Sequence, residues 1–378
     1  MKIAILTTRH TPLDDRLFHH MARILARQGE EVVMVSSREA REENLEGVKI
    51  RSFEGRKMSH KEKNRIFLET LREESPGMVI VPEPFPLFVA ARYRKKTGKV
   101  VKIVYDITEW YPGKKELERW GGMGILLFPL LVVHNLLAAA KTDAFIFGER
   151  CKALPFRLMC GRKPHIFLGY TPLLELIPFH PPSSPAGMLN LSYSGKLSRE
   201  KGLEVFLDVV ELLAEEMPSR QIRIRLIGFF RNRKEEGHFR QRLERLPGNI
   251  TWELLPFLPL EDYLQKIRDD HFFFDLRRRD PENHCSLPIK LFYFIALGRP
   301  LIFSDLLSIR KEMGEKPYLH RVRPQAKEKI AGIIKEYLKD PERYQKVCNA
   351  AREEALQQYN WERAGKGLLP FLQKIVTS

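Results

Sequence analysis

Short apolar runs alternate along the chain with stretches whose apolar residues return every three or four positions. Lys2–Leu6 and Glu31–Ser36 ("EVVMVS") are runs of the first kind. Between them Leu17, Met21, Ile24 and Leu25 fall on one face of a helix predicted over Arg16–Gln28, which Gly29 ends. Further strands are predicted at Val48–Ser52, Met78–Val81, Val100–Tyr105 and Ala144–Phe147. A second series begins near Leu189. Its strands are "LNLSYSG", "IRIRLIGFF", "ITWELLPF", "HFFFDL" and "RPLIFSD", and its helices span Leu203–Glu215, Lys234–Leu246, Leu260–Arg268 and Leu291–Leu297. Short apolar strands alternating with helices predict parallel sheets covered on both faces. The proline-rich stretch Phe167–Ala186 separates the series and reads as a connection. The expected fold class is therefore α/β with two Rossmann-like domains, residues 1–170 and 187–355. The tail, 356–378, patterns as helix with a kink predicted at Pro370.

Composition narrows the picture modestly. A chain of 378 residues is too long for one ordinary core, and 43% hydrophobic residues suffice for two. The formal net charge of +16 favours phosphate-bearing partners without choosing among nucleotide, lipid and nucleic acid. Cys151, Cys160, Cys285 and Cys348 lie far apart, with no C-x-x-C or zinc spacing, which fits free thiols in a reducing cytosol. Lys2 is followed by an apolar run too short for a signal peptide. The longest apolar stretch, 122–133, stops at His134 and Asn135, short of a bilayer span by this reading.

Two stretches carry candidate chemistry. In "YSGKLSREKGLEVFLDVVELL" a strand ends, Gly195 permits a tight turn, and a helix begins near Gly202. Lys196, Arg199 and Lys201 crowd that strand's carboxyl end, where open α/β sheets bind ligands. A helix N-terminus adds free N–H groups and partial positive charge, so a diphosphate is the natural guest. The competing reading is a solvated basic turn. In "HCSLPIKLFYFIALGRPLIF" Ser286 is a plausible N-cap, and Pro288 suits a first helical turn. Lys290 opposes the helix dipole there, which suggests a bound anion; a capped helix with an exposed lysine is the alternative.

Together these stretches resemble the phosphate-binding segment and signature helix of GT-B glycosyltransferases of the family 4 kind, in the subgroup with S-x-P-x-K-L-F before Gly-x-Pro. "TTRHTPLDDRLFHHMARILARQGEEVVMVS" is similar to the family's opening strand, loop and helix. "VYDITEWYP" is similar to its D-x-H-E-x-x-P segment, and "YNWERAGKGLLPFL" to its closing helix, which in the family crosses back to the first domain. The resemblance covers nearly the whole chain. It implies two domains facing a cleft, the first taking the acceptor and the second the nucleotide-sugar. It also implies retaining transfer from a nucleotide diphosphate-sugar, with UDP- or GDP-sugar the expected donor. No metal or other cofactor is implied, and the chain has no D-x-D motif.

The resemblance assigns diphosphate stabilisation to Lys196 and Lys201, with Arg199 in reserve and Gly195 at the turn. It assigns donor contacts to Cys285, Ser286, Leu287, Lys290 and Tyr293, and Gly228 allows close approach at another strand end. Cys285 and Tyr293 stand where the family's signature glutamates are, with Glu282 near enough to substitute for the first. Thr108 replaces the histidine of D-x-H-E, while Asp106 and Glu109 remain, Glu109 as the catalytic candidate. His10, Asp15 and Arg16 are cleft or acceptor candidates; Asp15 and Arg16 could instead pair with each other. The replacements keep a non-catalytic nucleotide-sugar-binding subunit, and an epimerase of the same fold, as alternatives.

The last partner concerns surfaces. Arg56, Lys57, Lys61, Lys63 and Arg65, with Lys95, Lys96, Lys99, Lys114 and Lys115, add charge near the apolar stretch 122–133. This suggests peripheral contact with an anionic membrane, at the inner face of the cell membrane of a cytoplasmic protein. A buried helix and ordinary surface lysines are the alternative. No groove-reading module or stacking platform suggests nucleic acid.

Overall fold

The computed structural model describes residues 1–107, 113, 117, 121, 123–177, 179–181, 183–185 and 187–377. Two compact units emerge: residues 1–170 with 362–378, and residues 171–361.

The first unit holds strands β1 (Lys2–Thr7), β2 (Glu31–Ser36), β3 (Arg41–Leu45), β4 (Val48–Ser52), β5 (Met78–Val81), β6 (Lys102–Ile107), β7 (Ala144–Phe147) and β8 (His165–Phe167), in the order β3-β4-β2-β1-β5-β6-β7-β8. All pairs are parallel except β3 with β4. β5, β7 and most of β1, β2 and β6 are buried on both faces, because helices cover both sides of a parallel sheet. Its helices include α1 (Pro84–Thr97), α2 (Met123–Ala140) and α3 (Arg150–Met159). The predicted helix after β1 is wound more widely at first: Asp15–Ala22 is a π-helix, and α-helical winding resumes at Arg23–Arg27.

The second unit holds β9 (Leu189–Leu197), β10 (Ile222–Phe230), β11 (Ile250–Leu255), β12 (Phe272–Asp275), β13 (Leu301–Ser304) and β14 (Leu319–Val322), all parallel, in the order β11-β10-β9-β12-β13-β14. The strand order reverses between β9 and β12. That is the topological switch point, where two neighbouring loops diverge and leave a crevice at the strands' carboxyl ends. Two of its helices, α4 (Leu203–Glu216) and α5 (Ile289–Leu297), begin at that edge.

Three elements differ from the sequence expectation. β3, "REENL", is polar and pairs antiparallel with β4 through a tight turn at Glu46 and Gly47, both at positive φ. Its strand character comes from hairpin pairing, not from apolar alternation. α2 does not stop at His134 and Asn135. The His134 ring packs 4.9 Å from Phe88, and Asn135 accepts a hydrogen bond from the Tyr105 hydroxyl at 2.9 Å, so both are accommodated and the helix runs to Ala140. The tail helix, α6 (Leu368–Thr377), carries Pro370 in its first turn, where the missing N–H is harmless; the interruption falls at the Gly365–Gly367 3-10 turn instead.

Candidate functional site

At the carboxyl end of β9, Gly195 lies in register with Gly228 of β10. Their φ angles are 108° and 147°, and a Cβ on Gly228 would stand 1.8 Å from the Gly195 carbonyl oxygen. Only glycine at 228 permits that approach. Gly202 does the same for the start of α4: a Cβ there would lie 2.1 Å from the Leu276 carbonyl, just beyond β12. The basic turn thus packs onto the loop after β12, across the switch point. Lys196 is half-buried and forms no ion pair among the described residues. Lys201 Nζ lies 3.2 Å from Asn283 Oδ1. Arg199, half exposed, lies 3.2 Å from Glu204 of α4 and 3.0 Å from His238.

Lys290, far away in sequence, reaches the same place. Its ammonium donates to the Ser194 carbonyl at 2.8 Å, and stands 4.0 Å from where a Gly195 Cβ would be. It also lies 3.4 Å from Asp275 at the end of β12 and 5.6 Å from the Tyr193 ring centre. Arg277 closes on the same carboxylate through Nε and Nη2, at 2.7 and 2.6 Å. Burial by itself would raise the Asp275 pKa, but Arg277 and Lys290 outweigh it and hold the carboxyl well below the usual range. Burial lowers the Lys290 pKa, with Asp275 opposing and Arg277 adding to the fall. The anion suggested by the lysine's place in the helix is thus first of all Asp275. One carboxylate faces two cations, so the cluster keeps a net positive charge.

α5 begins with Pro288 in the cap position and no side chain capping its N–H groups. This corrects the expectation for Ser286, whose N–H instead donates to Asn283 and whose carbonyl accepts from Ser308. Cys285 is exposed in the turn, and Leu287 packs half-buried on the second unit's core. Tyr293 is only 5% exposed within that core, so the ring offers little surface to a ribose. Thr108 and Glu109, like the side chain of Glu282, lie outside the described residues.

In the first unit the loop after β1 is built around Glu83, a buried acid that the sequence reading passed over. It accepts from the Thr8 N–H at 3.0 Å, the Arg9 N–H at 2.9 Å, and the hydroxyls of Thr7 and Thr8. Its signal was "VPEPFP": an acid directly after an apolar strand. His10 Nδ1 lies 2.9 Å from Asp14, which also caps the π-helix. Asp15 stands 3.5 Å from His20. Arg16 does not pair with Asp15; it makes a buried two-pronged ion pair with Asp106, both bonds 2.7 Å, and donates to the Leu168 carbonyl. Arg16 and Asp106 therefore lock the unit's core, and the cleft role expected of them gives way to that pairing. Among the described residues no three His, Cys, Asp or Glu side chains gather as metal ligands.

No family model and no curated protein matches the chain. Solved structures do. Sucrose-phosphate synthase from Thermosynechococcus elongatus superimposes with a TM-score of 0.72 at 14% identity, covering 100% of both chains. Anabaena Alr3699/HepE, solved in complex with UDP, gives 0.68 at 11%, covering 99% of this chain and 100% of that one. The lipopolysaccharide outer core galactosyltransferase WaaB gives 0.63 at 15%, covering 98% and 99%. With a parallel six-stranded Rossmann-like sheet in the second unit and its counterpart in the first, the chain has the GT-B fold.

Proposed function

We propose that this protein is a retaining, metal-independent glycosyltransferase. It moves a sugar from a nucleotide diphosphate-sugar to a glycan or lipid-linked acceptor in cell-surface polysaccharide synthesis, in the cytoplasm at the inner face of the cell membrane. The observation that carries this reading is the convergence of Lys290 and the Gly195 turn at the switch point, beside Lys196 and the uncapped start of α5. A diphosphate fits there by charge and by free N–H groups. UDP is the first donor nucleotide to try, since Alr3699/HepE was solved with it; GDP is the second.

In this reading the bond from the anomeric carbon to the diphosphate oxygen breaks, and the acceptor oxygen bonds to that carbon on the same face. The acceptor's proton passes to the leaving phosphate, so no separate base is required. Lys196, Lys201 and Lys290 meet the charge that develops on the diphosphate; one such preorganised donor is worth about 3–4 kcal/mol in the transition state.

A second reading is a nucleotide-sugar-binding subunit without turnover. The buried Tyr293, standing where the resemblance expects a ribose-binding carboxylate, favours it. A thermal-shift panel of UDP, GDP, ADP and TDP with their common sugars, run with a chelator, tests the donor site. A ligand at 100 times its dissociation constant stabilises by about 2.7 kcal/mol. Silence across the panel overturns both readings. Binding without donor hydrolysis or transfer to any glycan acceptor leaves the second.

A further inference from the structure

α2 carries Leu126, Leu130, Val133 and Leu137 on one stripe, at i, i+4, i+7 and i+11. All are exposed, and Leu126 and Ile125 each keep 79% of their surface open. The neighbouring α3 continues the pattern with Leu154 and Leu158, one turn apart, the latter 75% exposed. So much open leucine on adjacent helices needs a partner. A concave pocket of about 600 Å³ beside it is lined by Leu154, Leu158, Arg157, Arg162 and Lys163.

Charge selects the partner. Residues 121–167 include six Lys and Arg against two acids. Both acids are already paired, Asp143 with Arg94 and Glu149 with Lys152. Lys141, Arg157 and Arg162 form no ion pair among the described residues. A second copy of this chain would set these basic rims against each other. An anionic lipid surface offers hydrocarbon to the leucines and phosphate to the arginines.

We infer that the exposed faces of α2 and α3 are a docking surface for an anionic bilayer, on which α2 lies without crossing. α2 is long and apolar enough to span. Yet it is the crossover between parallel neighbours β6 and β7, so it must run back along the sheet from the carboxyl end of β6 to the amino end of β7. Asn135, Leu136, Ala138 and Ala139 are buried in the unit, and Lys163 Nζ binds the carbonyls of Ala139, Ala140 and Thr142 at 3.2, 2.8 and 2.7 Å. Spanning would strip those contacts. The inference rests on the membrane-face placement proposed above and on nothing in the donor chemistry.

The test is co-sedimentation of the full chain, without nucleotide, with vesicles of phosphatidylcholine alone or mixed with phosphatidylglycerol. Binding should rise at least about tenfold with phosphatidylglycerol and fall with salt. Leu126→Ser with Leu130→Ser, and Arg157→Glu with Arg162→Glu, should each lower it about tenfold while thermal melting and nucleotide response stay unchanged. Equal partition to both vesicles, or unaltered binding by both variants, overturns the inference. Dimerisation through this face without vesicle binding assigns it to a second copy, and resistance to alkaline carbonate extraction makes α2 a span; either result also overturns it.

Discussion

The Lys290 ammonium stands 3.4 Å from the Asp275 carboxylate, although fifteen positions of loop and helix separate them along the chain. Arg277 occupies the same carboxylate through two bonds, so Lys290 is steadied there without being neutralised by it.

Lys290→Ala should therefore leave the fold intact and weaken binding of the nucleoside diphosphate by about tenfold or more, which is 1.4 kcal/mol or more. Lys201→Ala should do the same. Titration calorimetry reads both, and unchanged affinity in the pair of variants would reduce Lys290 to a structural partner of Asp275.

Gly228→Ala should destabilise the second unit by about 3 kcal/mol or more, since its Cβ would sit 1.8 Å from the Gly195 carbonyl at a φ that side chains avoid. Gly195→Ala meets only the Lys290 ammonium at 4.0 Å and should cost about 1–2 kcal/mol. Urea unfolding distinguishes the two; equal costs would contradict the close-approach account.

The Arg16–Asp106 pair makes a different forecast. Asp106→Asn or Arg16→Met leaves a buried charge alone and should cost about 3–5 kcal/mol. Replacing both with apolar residues of similar size should recover most of that loss. A double-mutant cycle on thermal unfolding measures it, and additive losses would mean the pairing is incidental.

Acid sensitivity should come from two histidines. Burial, aided by Arg299, pushes His271 down to about 4; burial, aided by Arg343, does the same to His320. His271 Nδ1 accepts the Asn190 N–H at 3.0 Å, so a proton there would break that bond. Both stay neutral in the fold while the unfolded chain protonates near 6.5. Their contribution is present above that pH and is lost as pH falls from about 6.5 to 4. Asp270, raised by burial to about 7 against the pull of Arg225, works in the opposite sense, losing stability as pH rises through that value. Melting temperatures of the wild type and of His271→Asn with His320→Gln, followed from pH 7 to about 4, should converge toward the acid end. Parallel curves would remove the histidines from the account.

Much of the architecture was legible because it rests on local periodicity. Strands such as "EVVMVS" and "IRIRLIGFF" appear where their apolar runs predict them, and Gly29 sits at positive φ just past the first helix. What local pattern could not reveal was pairing. The polar β3 exists because β4 lies beside it, and α2 passes two polar residues because Phe88 and Tyr105 receive them. Ser286 looked like a cap by residue type, yet its backbone is held by Asn283 and Ser308, and Pro288 takes the position.

The sequence by itself determined the α/β class, the two series of strands, and a basic turn and a lysine-bearing helix that belong near a phosphate. Hydrophobic period and turn chemistry are short-range properties, readable within a dozen residues. Only the tertiary structure decided which charges remain for a ligand. Arg16 goes to Asp106, and Asp275 is shared by Arg277 and Lys290, while Lys196 keeps its charge unpaired among the described residues. Ion pairing acts over a few ångströms of space, and the order of residues along the chain does not fix which charges the folded sheet brings that close.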